Sequence, residues 1–375
     1  VVSEDLQQYR QELAKRKVWL EILESADQAS PYYGYCLADF HLRWALLRMK
    51  YGEEFQGALD LRKAIQFAES NLQKHPKFKL GLKIKGIVQT LAGAVPGKYQ
   101  WLAERAGIRG NTLMGLSTLQ ELDNWILQNQ TYRFLEPEVL FYRLFIHRNL
   151  PQDFPTTELQ KRAMPRVGKE PLLRYVLASM ALKEHQPERA LQILNTEHGP
   201  GPEVKICHLE MMRAEAMLYL SLPGAEHSFK AFITCAKGGN YVKSAYRKWA
   251  WSELLKGNMQ AYQSLMGKIL EEGRLENEED QQAYMEARKG MPAIALMVKA
   301  RLSFDGGFYR ESVSALLQIS ERKNLNHEQR AELHYRLARA YDKLEKLDLA
   351  IIFYRATLAE SAKMPDYFYA SSAYH

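Results

Sequence analysis

The sequence has no long apolar run: even PAIALMV, Pro292 to Val298, stops at Lys299, well short of the roughly 18 residues that a membrane-spanning helix needs. Cysteine is scarce. Cys36, Cys207 and Cys235 lie far apart with no Cys-x-x-Cys spacing, which excludes a zinc ribbon, a thioredoxin-type site and a disulfide framework. Cys207 and Cys235 could meet across neighbouring helices, but with so few thiols unpaired, buried cysteines are the expectation. The signatures of catalysis are missing too. Gly93-Ala94-Val95-Pro96-Gly97-Lys98-Tyr99 has three residues between its glycines, and a tyrosine where a phosphate loop needs Ser or Thr. Gly107, Gly110 and Gly115 follow no strand, as a dinucleotide fingerprint must. None of the ten histidines forms a His-Glu-x-x-His helix, and no serine sits in a Gly-x-Ser-x-Gly turn. Glu276, Glu278 and Glu279 are expected to be solvated neighbours in a flexible insertion, where nothing raises a pKa for acid-base work. No catalytic residue, cofactor or metal is expected.

What is present is ample for folding. The 375 residues are 46% hydrophobic and 25% charged, too apolar for a disordered chain. Lys and Arg exceed Asp and Glu by 51 − 44 = 7, which is compatible with an acidic partner, an anionic membrane surface or nucleic acid. The excess is spread thinly, in short clusters such as Lys15-Arg16-Lys17 and Lys161-Arg162, so specific nucleic-acid binding is not expected.

Nearly every segment repeats apolar residues at i, i+3, i+4 and i+7, as in Leu37, Phe40, His41, Trp44, Leu47. Strand alternation is almost absent. Breaks fall at Ser30-Pro31, Ala94 to Gly97, Asn149 to Pro151, Gly199 to Pro202, Gly238 to Asn240 and Asp305 to Gly307. The pattern predicts an all-α protein built from antiparallel helix hairpins, an α-solenoid.

The segment ARAYDKLEKLDLAIIFYRATL, Ala338 to Leu358, carries the clearest periodicity. In a frame starting at Ala331, Leu337 and Ala338 take places seven and eight, Tyr341 eleven, Ala350 twenty and Tyr354 twenty-four. Small residues at eight and twenty let two helices cross closely, and large ones at eleven and twenty-four fill the space beside the crossing. Starting at Ala293, Ala300, Gly307, Ser312 and Leu316 fall at places eight, fifteen, twenty and twenty-four. Weaker frames start at 171, 207 and 243, and the starts 171, 207, 243, 293 and 331 are separated by 36, 36, 50 and 38 residues. The long interval holds an acidic insertion, Glu271 to Lys289.

This frame resembles the tetratricopeptide repeat. The stretches SPYYGYCLADFHLRWALLRMKYGE, GAVPGKYQWLAERAGIRGNTLMG, KGGNYVKSAYRKWAWSELLKGN and ARLSFDGGFYRESVSAL further resemble a bacterial family of helical-repeat proteins, distantly similar to the eukaryotic tetratricopeptide-repeat protein 39 group. The resemblance implies a superhelix of divergent repeats, often exported in bacteria, with no established chemistry. The expected organisation is a divergent hairpin region over residues 1–160 and repeats over 161–375, at about 171–206, 207–242, 243–290, 293–330 and 331–364. The last repeat is expected to be truncated.

In the family, places two, five, nine, twelve and thirteen of each first helix point into a concave groove. These select Arg247 and Trp251, then Met297, Arg301 and Phe304, then Tyr335, Arg339 and Lys343 as residues that bind a protein or peptide partner, since arginine and aromatics carry much interface energy. Trp251, Met297 and Phe304 are equally suited to packing between repeats. The expected function is a non-enzymatic scaffold or adaptor in a larger envelope assembly, in the periplasm or alternatively the cytoplasm. The competing expectation is a small-ligand site or enzyme in Gly93 to Leu122, where Lys98, Tyr99, Trp101 and Arg105 would converge.

Overall fold

The structure, a computed structural model, describes residues 5–94, 107, 110–149, 155–197, 199, 205–290, 293–321 and 324–363. Among these residues every regular element is helical and no strand occurs. Consecutive helices pack on one another as antiparallel hairpins, the local plan of an α-solenoid. The contacts divide the chain into two compact units, Val1–Leu177 with Thr196–Ile206, and Ala178–Asn195 with Cys207–His375.

The first unit holds α1 (Leu6–Glu24), α2 (Pro31–Lys50), α3 (Glu54–Lys74), α4 (Gly81–Ala94), α5 (Thr112–Gln128), α6 (Glu136–Asn149), α7 (Thr157–Ala163) and the start of α8 (Pro171–Lys183). The second holds the end of α8, then α9 (Pro187–Leu194), α10 (His208–Tyr219), α11 (Ala225–Cys235), α12 (Val242–Leu255), α13 (Met259–Glu271), α14 (Glu278–Arg288), α15 (Ala295–Asp305), α16 (Tyr309–Ser320), α17 (His327–Lys343) and α18 (Leu347–Ser361).

Polar side chains start several helices. Ser30 accepts the amide of Tyr32 while Pro31 opens α2, which satisfies an end donor and presets the first turn. Asn111 caps α5 through the amide of Met114, and Asn326 forms a reciprocal capping box with Gln329 at the start of α17.

Small residues mark the crossings. Ser312 on α16 donates its hydroxyl to the carbonyl of Ala300 on α15 at 2.8 Å, a reach that requires closely spaced helices. Both residues are essentially inaccessible. Across α17 and α18, Ala338 and Ala350 are buried, and Tyr341 stacks on Phe353 at 5.6 Å beside them. In the first unit glycine takes the same role: a Cβ on Gly115 of α5 would clash with the Gly86 carbonyl and Thr90 hydroxyl of α4.

Cys207 and Cys235 form a disulfide, with Cα atoms 5.6 Å apart, which corrects the expectation of unpaired thiols. Cys207 caps the start of α10 and Cys235 ends α11, so the hairpin's return brings the two ends together opposite its turn. Cys36 remains a free, half-buried thiol. The bond closes a loop of 28 residues, and loss of that constraint on the unfolded chain costs about 3–4 kcal/mol. A Cys207→Ser/Cys235→Ser variant is therefore expected to unfold at lower urea than the oxidised protein and to match the reduced one. Coincident transitions for the oxidised and reduced wild type would contradict this.

Candidate functional site

Three first helices of successive hairpins carry the candidate residues. α12 presents Arg247 and Trp251, α15 presents Met297, Arg301 and Phe304, and α17 presents Tyr335, Arg339 and Lys343. Arg247, Trp251, Met297 and Phe304 are buried; Arg301, Tyr335 and Arg339 are half-buried, and Lys343 is exposed. The aromatic side chains thus pack inward, and the cations beyond α12 reach the surface over them.

The residues form a run of cations on rings. The guanidiniums of Arg247 and Arg301 lie 4.9 and 4.7 Å from the centre of the Trp251 ring. Arg339 lies 4.4 Å from the ring of Phe304 and 5.8 Å from that of Tyr335. Such contacts hold a guanidinium by its flat face and leave its N–H edges free for an anion. Among the described residues, Arg301 and Arg339 make no ion pair or hydrogen bond. Both line a small, shallow cleft with Ala300, Phe304, Ser312 and Arg336. Arg336 is paired with Glu332, at 2.6 and 2.8 Å. Burial works against the Glu332 carboxylate, but Arg336, followed by Arg301 and Lys289, holds its pKa below the usual range.

At α12 the run is closed by the acidic insertion. Its residues form α14, which buries Asp280, Ala283 and Ala287. Asp280 accepts the backbone amides of Tyr241 and Ser244, at 2.6 and 2.8 Å, so it caps the start of α12. Glu279 takes the Ser244 hydroxyl at 2.8 Å and the Lys248 ammonium at 2.9 Å. Glu286 accepts the indole N–H of Trp251 at 2.8 Å and stands 3.9 Å from Arg247. Glu276 and Glu278 are exposed, as expected; the expectation is corrected in that residues 278–288 form a packed helix and the half-exposed Glu279 carboxylate is bonded to Ser244 and Lys248. The Lys248 charge pulls the pKa of Glu279 far down, and burial raises that of Asp280.

Arg247 is 1% exposed, and burial, with Arg301 beside it, pushes its pKa down to about 10. Its Nε and Nη2 have no hydrogen-bond partner among the described residues. The neighbouring Lys248 is also buried, between Glu215 of α10 and Glu279; burial opposes its charge, and the two carboxylates outweigh that and hold its pKa above the ordinary value.

Elsewhere the ionisable groups serve packing. His41, 2% exposed, sits with Nδ1 2.7 Å from Asp60, which also takes Arg16 at 2.5 Å and Arg48 at 2.7 Å. Lys83 is shared by Asp39 and Glu138. Burial lowers the pKa of His334. Among the described residues, no group of three His, Cys, Asp or Glu is placed to hold a metal ion, and no helix is long and apolar enough to cross a membrane. Lys98, Tyr99, Trp101 and Arg105 lie outside the described residues.

Sequence reasoning missed Arg336 and the seating of α14. For the second, a signal existed: Asn277 precedes Asp280 by three and caps it, and Ala283 and Ala287 stand one turn apart, as on a packed face. No protein-family model matches the chain, and no curated protein is recognisably similar to it.

Removing Lys248 leaves Glu215 as an unpaired carboxyl in a site where burial already raises its pKa. Lys248→Met is expected to cost about 3–5 kcal/mol at neutral pH. A group whose folded pKa is raised destabilises the fold once it ionises, so the loss should shrink as pH falls through that raised pKa toward about 4.3. Urea unfolding at pH 7 and pH 5 measures both, and a loss that grows on acidification would refute the assignment.

Proposed function

We propose that the chain is a non-enzymatic interaction scaffold or adaptor of the tetratricopeptide-repeat type. A protein or peptide partner lies across the first helices α15 and α17, with Arg301, Tyr335, Arg339 and Lys343 as its contacts. The observation that carries this reading is that Arg301 and Arg339 lie over aromatic rings and, among the described residues, make no direct ion pair, the nearby Glu332 carboxylate being bonded to Arg336. Arginines positioned by packing, with their hydrogen-bonding edges unused, are costly to order for stability alone and well suited to an interface. Arg247 and Trp251 contribute from beneath α14, as support for Arg301 rather than as contacts.

The Cys207–Cys235 bond supports residence in an oxidising compartment, and with the bacterial resemblance it favours the periplasm. A scaffold in an envelope assembly is the role we infer. In the test, tagged wild-type chain and an Arg301→Glu/Arg339→Glu variant capture partners from native extract, and the proteins retained are quantified by mass spectrometry. A defined set retained by the wild type should fall roughly tenfold or more in the variant, with an unchanged helical circular dichroism spectrum. Equal retention by both chains would refute the binding face.

A further inference from the structure

The two ends of the cation-on-ring run differ in one respect. Where it begins, on α12, a helix of the same chain supplies carboxylates. Glu279 and Glu286 are seven residues apart and so share one face of α14; they reach Lys248 with Ser244, and Trp251 with Arg247. Where it continues, on α15 and α17, the rings and the guanidiniums are present, yet among the described residues no carboxylate forms an ion pair with Arg301 or Arg339; Glu332, whose charge Arg301 feels, is bonded to Arg336.

We propose, building on the function above, that the cleft between α15, α16 and α17 takes the side-chain carboxylates of an acidic segment of a partner protein, as α14 supplies them on α12. The charges nearby favour this occupant. Arg301, Arg336 and Arg339 line the cleft, and the one carboxylate paired there is Glu332, on Arg336. Arg247, over the same Trp251 ring as Arg301, is buried with two nitrogens lacking a hydrogen-bond partner among the described residues, and its own carboxylate, Glu286, stands on the α14 side. Floor and wall are apolar or already satisfied: Phe304 lies under Arg339, and the Ser312 hydroxyl is committed to the Ala300 carbonyl. An incoming carboxylate therefore finds the guanidinium edges of Arg301 and Arg339 to bond with, Arg336 being engaged by Glu332, and a planar fork donates two parallel N–H groups to it. Aromatic side chains of the segment would meet Tyr335, which is half-buried at the margin.

The probe is a fluorescent oligo-glutamate peptide, amidated at its C-terminus so that it offers side-chain carboxylates alone. It is titrated into the full chain at fixed ionic strength, beside an oligo-glutamine peptide of the same length. Saturable binding of the glutamate peptide only is expected, weakened roughly tenfold or more by Arg301→Gln/Arg339→Gln. Lys256→Gln/Lys268→Gln, which removes the same charge from an exposed region, should keep the affinity; an equal loss there would reduce the effect to net charge and overturn the proposal. Arg301→Lys keeps the charge and loses the fork, so it should weaken binding without altering thermal unfolding. Wild-type affinity in that variant, or displacement of the peptide by inorganic phosphate at matched ionic strength, would also overturn it. If oligo-glutamate fails to bind while the Arg301→Glu/Arg339→Glu exchange still abolishes native capture, the acidic chemistry is wrong and the binding face stands. If capture is unchanged as well, both fall.

Discussion

Close contact between paired helices is the constraint on which the second unit rests. Ser312 reaches the Ala300 carbonyl because neither side chain keeps α15 and α16 apart, and buried Ala338 and Ala350 do the same for α17 and α18. Helix pairs this close can stack with their first helices adjacent, and corresponding positions then fall side by side. Trp251, Arg301 and Arg339 share place nine of their frames. That equivalence makes possible the contact of Arg301 with the ring one hairpin back, and of Arg339 with Phe304 on the preceding first helix. The run of cations on rings, which we propose as the binding face, is thus a consequence of backbone spacing, and the spacing is a consequence of small side chains.

Electrostatics then separates the supporting charges from the available ones. Asp60 gathers Arg16, Arg48 and His41, Lys83 lies between Asp39 and Glu138, and Lys248 between Glu215 and Glu279. In each case a buried charge has a partner, as desolvation demands. Against that pattern, Arg301 and Arg339 are half-buried over rings and form no ion pair among the described residues. Cation–π contacts of about 0.5–1 kcal/mol orient them without neutralising them.

Much of this was legible in the sequence because it depends on spacing. The i, i+3, i+4 pattern marks the helices, Ser30-Pro31 marks the start of α2, Asp305 to Gly307 the turn after α15, and the small residues at places eight and twenty the crossings. The burial of Trp251, Met297 and Phe304 was less accessible, since a groove position and a packing position share one helix face. Two features depend on contacts between distant segments, which spacing does not encode. The Cys207–Cys235 bond needs α11 to return alongside α10, and the docking of α14 needs Glu279 and Glu286 to find partners some thirty residues back. A dense run of acidic residues looks solvated until the buried cations that require it are located.

Site-specific photo-crosslinking tests the central claim most directly. A photoreactive side chain placed in turn at 301, at 339 and at 247 is activated in the presence of captured partner. The account predicts covalent adducts with the same partner segment from 301 and 339, and none from 247 beneath α14. Adducts from 247 alone, or none from 301 and 339 while the partner remains bound, would contradict it.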